Sequence, residues 1–125
     1  MVLRCLIVDN NERFLEAARS SLGRDAAEIE VIATATTSAE ALRLTAELRP
    51  DVVLVDIGLG EESGFDLARQ LAERFDFLRS RIVLISTRSE EDYEDLIASS
   101  AAIGFLPKSR VSAAEVRALL RSAAS

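Results

Sequence analysis

There is no histidine in this chain of 125 residues, no tryptophan, only one cysteine and only one lysine. Cys5 lies inside the apolar run Val2 to Val8 and has no partner for an internal disulfide, so it is expected to be a buried core thiol in a reducing compartment. Apolar stretches never exceed strand length, and the first residues carry no basic leader, so neither export nor a membrane span is expected and the chain reads as cytoplasmic. Positive charge is also scarce: 15 basic against 21 acidic residues leave a net charge of -6, whose field repels nucleic-acid phosphates and acidic membranes. Protein partners are expected instead. Repeats, linkers and low-complexity segments are absent, and 49% apolar with 29% charged residues at this length predicts one domain around one core, 1-125, with room for no second.

What is present alternates strand and helix patterns five times, which predicts a parallel sheet covered on both faces. Val2 to Val8 reads as the first strand, ended by Asp9-Asn10-Asn11, with Asn11 the N-cap of a helix through Leu22 that Gly23 closes. Phe14, Leu15, Ala18 and Leu22 form its buried stripe. A short strand, Ile29 to Ala33, precedes a capping box of Thr37 and Glu40 and a helix that turns Leu42, Ala46 and Leu48 inward before Pro50 ends it. Val52-Val53-Leu54-Val55-Asp56 is an unbroken apolar run that stops in a carboxylate, the pattern of a central strand buried on both faces. A glycine-bearing loop then leads to Ser63 as cap of a helix with Leu67, Ala68, Leu71 and Phe75 inward, and Gly64 suits a close helix entry. Arg81 to Ser86 is another buried strand. Ser89 is expected to cap an acidic helix carrying Tyr93, Leu96 and Ile97 among Glu90, Glu91, Asp92, Glu94 and Asp95. Ile103 to Leu106 is the last strand, and Ser112 with Glu115 boxes a final helix bearing Val116, Leu119 and Leu120.

In an open parallel sheet, ligands bind outside the carboxyl ends of the strands. Those ends here carry Asp9 with Asn10, then Asp56, then Ser86 with Thr87, then Lys108, the single lysine among arginines. Paired carboxylates repel unless a cation intervenes, and an oxygen-only cluster suits Mg²⁺. A phosphoryl group fits the combination. A carboxylate can attack phosphorus in line, a metal and an ammonium can spread the charge, and a serine hydroxyl can hold one phosphoryl oxygen.

In this order and spacing, Val8-Asp9-Asn10, Leu54-Val55-Asp56, Ile85-Ser86-Thr87 and Gly104-Phe105-Leu106-Pro107-Lys108 resemble the motifs of a receiver domain of two-component response regulators, the CheY-like family. The resemblance implies an α/β, flavodoxin-like three-layer fold with a five-stranded parallel sheet in order 2-1-3-4-5. It implies Asp56 as phosphoacceptor, Lys108, Ser86 and Thr87 in the phosphorylation chemistry, and Mg²⁺ held by Asp9, Asn10, Asp56 and the Gly58 carbonyl. It further implies Ser86 and Phe105 as a switch, with Phe105 near the surface and turning inward when Ser86 moves. The implied partners are a sensor histidine kinase and an output domain or downstream protein that reads the face of helix 4, strand 5 and helix 5. Such a domain catalyses its own phosphorylation and no other small-molecule reaction.

This chain departs from the family pattern in three places. The second acid after the first strand is Asn10, which brings an oxygen but no charge; a unit-charge pair at ~4 Å is worth roughly 4 kcal/mol at an effective dielectric of ~20, so weaker metal binding is expected. Ser109 follows the lysine where relatives often have a cis proline, so a trans bond is expected. Thr87 is bulkier than the residue usual there, which narrows phosphoryl access. A haloacid-dehalogenase-type phosphatase would need a second acid where Gly58 stands, and neither a flavodoxin turn nor a glycine-rich nucleotide fingerprint follows the first strand. The alternative that Asn10 leaves open is a pseudo-receiver, which keeps the fold and signals by protein contact without phosphorylation.

Overall fold

The computed structural model describes residues 2–24, 27–88 and 90–124, apart from the side chains of Glu90, Ala123 and Ala124. Its main sheet is parallel and runs β2-β1-β3-β6-β7, built from β1 (Leu3–Val8), β2 (Ile29–Ala35), β3 (Val52–Asp56), β6 (Ile82–Ser86) and β7 (Gly104–Pro107). This is the expected 2-1-3-4-5 order. The numbering differs because two short strands, β4 (Gly58–Leu59) and β5 (Glu62–Ser63), form an antiparallel hairpin outside the sheet. The helices are α1 (Glu12–Gly23), α2 (Ser38–Leu48), α3 (Gly64–Arg74), α4 (Glu94–Ala98) and α5 (Ala113–Ala124).

Strand side chains alternate between faces, and that alternation divides the core in two. Cys5, Ile7, Leu54, Val83 and Ile85 meet Leu15, Ala18 and Leu22 of α1 and Val116 of α5. Leu6, Val8, Val53, Val55 and Leu84 meet Ala41 of α2, Leu67, Ala68 and Leu71 of α3, and Tyr93 and Ile97 around α4. Burial pushes the Cys5 thiol up to about 12, so it is an inert core group. The register pairs Val8 with Val55 and Asp56 with Ile85, which brings the carboxyl ends of β1, β3 and β6 to one level.

Helix ends show how the chain is steered there. Asn11 Oδ1 accepts the Arg13 and Phe14 N–H groups at 3.0 and 3.2 Å, which makes it the expected N-cap. Thr37 Oγ1 accepts from Glu40 N at 3.2 Å, while the Glu40 carboxylate reaches one residue further back, to Thr36 N at 2.9 Å. Ser112 Oγ accepts from Glu115 N at 3.2 Å, but the Glu115 carboxylate pairs with Arg110 instead of closing the box.

Several local expectations are corrected. Gly23 is the last residue of α1 and Arg24 is the cap, in right-handed conformation, so no glycine turn closes that helix. In α2 the fully buried residues are Ala41 and Thr45, and Ala46 is exposed, because positions four apart share the buried face and Ala46 lies one step round the helix from it. Ser63 makes no side-chain cap; it is occupied as a strand residue of the β4–β5 hairpin. The acidic segment is a 3₁₀ turn (Glu90–Tyr93) followed by only one and a half turns of α4, with Leu96 54% exposed. Like charges three and four apart oppose a longer helix there. Ser89, expected as its cap, lies outside the described residues.

Thr45 is fully buried on α2, and its Oγ1 has no hydrogen-bond partner among the described residues. Replacing a buried, unpaired hydroxyl with a methyl removes its desolvation cost. Thr45→Val is therefore expected to raise stability by about 1 kcal/mol, read as a higher urea midpoint at unchanged m value.

Candidate functional site

At the end of β1, Asp9 is fully buried, and its Oδ1 accepts the Asn11 N–H at 2.9 Å. That bond folds the chain back into α1 and fixes the carboxylate, leaving Oδ2 turned toward the neighbouring strands. Asp56, at the end of β3, is 7% exposed; its Oδ1 accepts from Gly58 N at 3.4 Å. Lys108 opens the 3₁₀ turn Lys108–Arg110 directly after β7 and reaches back across the sheet end. Its Nζ lies 2.5 Å from Asp9 Oδ2 and 3.3 Å from Asp56 Oδ2. The contact with Asp9 is an ion pair without hydrogen-bond alignment, whereas Lys108 also donates a hydrogen bond to Asp56. One ammonium thus bridges two carboxylates that stand 47 positions apart in sequence.

The electrostatics follow from that count. Two buried acids share a single cation, so the cluster keeps a negative charge. Burial raises the pKa of Asp56 above the ordinary carboxylate value, and the Asp9 charge raises it further. Lys108, by its charge and its hydrogen bond, and the Gly58 N–H act in the opposite direction without cancelling the rise.

Other residues named from sequence take varied places. Asn10 is exposed, and its amide leans over the turn of the β4–β5 hairpin, where Nδ2 lies 3.3 Å from the position a Cβ would take on Gly60. Gly60 has φ +68°, so a side chain there would be strained as well as crowded. Ser86 is buried at the end of β6, but its Oγ accepts the Arg88 N–H at 3.0 Å, which ties the hydroxyl into its own loop; Thr87 is exposed. Phe105 is only 5% exposed, opposite Leu84 and in the apolar cluster that includes Tyr93 and Ile97. Its expected place near the surface is therefore corrected: the segment around α4 covers this edge of the sheet. All peptide bonds among the described residues are trans, including Lys108-Ser109, as expected.

Residues 5–121 match the model of the response regulator receiver domain. The chain belongs to that family. As a receiver domain it is 32% identical over 107 residues to the DNA-binding transcriptional activator DevR/DosR of Mycobacterium tuberculosis, covering 86% of this chain and 48% of that protein. It is 26% identical over 106 residues to the transcriptional regulatory protein DegU of Brevibacillus brevis, covering 85% of this chain and 44% of that one. The receiver domain thus spans about half the length of these curated relatives. Among solved structures, a two-component response regulator of the LuxR family from Aurantimonas sp. SI85-9A1 superposes with a TM-score of 0.83 at 25% identity, over 98% of this chain and 87% of that chain.

Two features of the receiver domain's site were not legible from motifs. Glu62 of the β4–β5 hairpin accepts the Ser38 N–H at 3.0 Å, which pins the loop after Asp56 to the start of α2. Phe14, assigned from periodicity to the buried stripe of α1, is half-buried and sets its ring beside Lys108. The available signal for Phe14 was its place in the first turn after Asp9. Among the described residues no helix is long and apolar enough to cross a membrane.

Proposed function

We propose that this receiver domain accepts a phosphoryl group on Asp56 from the phosphohistidine of a sensor histidine kinase and passes the resulting change to a protein partner or an output domain. The observation that carries the proposal is the Asp9–Lys108–Asp56 cluster: an acid at the end of a central strand, with a second acid and the chain's single lysine in contact with each other beside it. An Asp56 carboxylate oxygen attacks phosphorus in line, the P–N bond to the donor imidazole breaks as the new P–O bond forms, and the imidazole leaves with the electron pair. In this reading Lys108, which donates to Asp56, follows the incoming negative charge, and Ser86 exchanges its bond with Arg88 N for one to a phosphoryl oxygen.

The donor set fits a hard divalent cation. Asp9 Oδ2 is buried with no hydrogen bond and only the Lys108 ammonium against it, a cation in the place a metal would take, Asp56 offers a second carboxylate, and the Asn10 amide and Gly58 carbonyl are two further oxygens that the ion could draw on. Among the described residues no third carboxylate joins them, so Asn10 is the weak member. When bound, Mg²⁺ would supply charge neutralisation between the carboxylates and the phosphoryl oxygens. The direct test is phosphodonor treatment with and without Mg²⁺, followed by mass spectrometry; an unmodified chain under all conditions sinks the proposal and favours signalling by contact alone.

Restoring the missing charge gives a second measurement. Asn10→Asp is expected to tighten Mg²⁺ binding about tenfold or more and to speed labelling at low Mg²⁺. Identical Mg²⁺ titrations of the two proteins would refute this.

For the output face, phosphorylation is read as a two-state change in α4, β7 and α5. Phe105 already lies inward, so the change proposed at this edge is a repacking of Tyr93 and Ile97 against it rather than a large rotation of the ring. Glu91, Glu94 and Asp95 are exposed on this face, so a basic partner is expected, bound more weakly as salt rises. Backbone amide shifts with beryllofluoride and Mg²⁺ should change at Phe105 and along residues 90–99; changes confined to the loops around Asp56 would end this version.

A further inference from the structure

We propose that Phe14 is a positioning residue for Lys108: its ring holds the ammonium against the Asp9–Asp56 pair. The Lys108 Nζ stands 4.7 Å from the centroid of the Phe14 ring, within the range of attraction between a cation and the negative face of an aromatic quadrupole. The lysine side chain is only 11% exposed, with Asp9 and Asp56 contacting its ammonium and the ring close by. A lysine stem otherwise loses much rotamer freedom to sit in one place, and an aromatic wall that excludes water lowers the number of alternatives it can adopt. The wall is also built from the site itself. Asp9 Oδ1 holds Asn11 N, and Asn11 Oδ1 holds Phe14 N, so the acid that pairs with Lys108 also fixes the turn that carries the ring. Phe14 is half-buried at the margin of the α1 stripe, where Leu15, Ala18 and Leu22 do the packing.

This rests on the proposed phosphoacceptor chemistry for its consequence but not for its geometry. Confining the ammonium between ring and carboxylates keeps it one short displacement from a phosphoryl oxygen on Asp56, so losing the ring should slow labelling without weakening donor binding. Because Lys108 is the chain's single lysine, selective lysine labelling gives one unambiguous set of side-chain resonances. In the full chain the Lys108 ε-methylene protons are expected upfield of an ordinary lysine, to return toward the ordinary position in Phe14→Leu, and to stay shifted in Phe14→Tyr. The maximal rate of Asp56 labelling by acetyl phosphate with Mg²⁺ should fall roughly fivefold in Phe14→Leu, recover in Phe14→Tyr, and decline stepwise as Phe14 is replaced by increasingly fluorinated phenylalanines, which keep the ring's shape but drain its negative face. A lysine shift that ignores Phe14→Leu overturns the proposal, as does a rate that falls in Phe14→Leu yet stays level along the fluorinated series, which would leave only packing. If the wild-type chain takes no label at all, the phosphoacceptor reading fails by itself. The lysine shifts along the same fluorinated series then decide whether Phe14 holds the ammonium, and a flat series overturns it.

Discussion

Asp56→Ala is expected to abolish phosphodonor labelling, a loss of at least about a thousandfold, because among the described residues Asp9 is the one other carboxylate in contact with Lys108. Asp9 is the nearest rival, but it is fully buried, with Oδ1 committed to Asn11 N and Oδ2 paired with Lys108. Label persisting in Asp56→Ala, at any residue, would remove Asp56 from the proposed role. The isosteric Asp56→Asn adds a thermodynamic arm. A carboxyl whose pKa is raised by folding, as burial and then Asp9 raise this one, contributes stability while protonated and loses that contribution as pH rises through the folded value. Asp56→Asn should therefore be more stable than the parent at neutral pH, and the advantage should vanish below the pKa of an unfolded aspartate. Urea midpoints at neutral and acidic pH check the sign; a variant less stable at neutral pH would mean that Lys108 outweighs burial and Asp9 together.

Gly64→Ala is expected to be among the most damaging single-atom additions to this receiver domain. A Cβ at Gly64 would overlap the Asp56 carbonyl oxygen and stand 2.8 Å from both Asp56 C and Ile57 Cα. All three are backbone atoms of the segment that carries Asp56, the proposed phosphoacceptor, and Gly64 N also donates to Ile57 O at 2.8 Å. No flexible side chain can yield, so either α3 or the end of β3 must move. Overpacking of this kind costs about 1–3 kcal/mol and sometimes more, and here the shift falls on Asp56 itself. Urea denaturation should show the lower stability and labelling should slow in parallel; a midpoint and a rate both equal to the parent's would show that the close approach is not maintained in solution.

Contrasting behaviour is expected at Gly23, which a reading by residue type would treat alike. A Cβ there meets nothing within 4 Å, and the residue is an ordinary last position of α1. Whether a glycine is needed depends on what the fold brings against it, and for Gly64 that is a strand end packed tightly under a helix start.

The sequence alone determined the alternation of strands and helices, the two-faced burial of β3, and the set of chemical groups at the strand ends. These are local properties: period-two and period-3.6 apolar patterns, and the rule that parallel strands deliver their carboxyl ends to one side. Asn11, Thr37 and Ser112 were legible as caps for the same reason, since each needs only a neighbour three residues away. Tertiary structure decided the rest. Asp9, Asp56 and Lys108 become one cluster because the register of β1 with β3 and of β6 with β7 sets their strand ends level, a long-range fact that no window contains. Ser63 lost its cap to the hairpin, and Phe105 moved inward because the segment around α4 covers its strand edge. Phe14 showed only a stripe position in sequence; that its ring faces an ammonium from 94 residues further on follows from where α1 and the end of β7 meet.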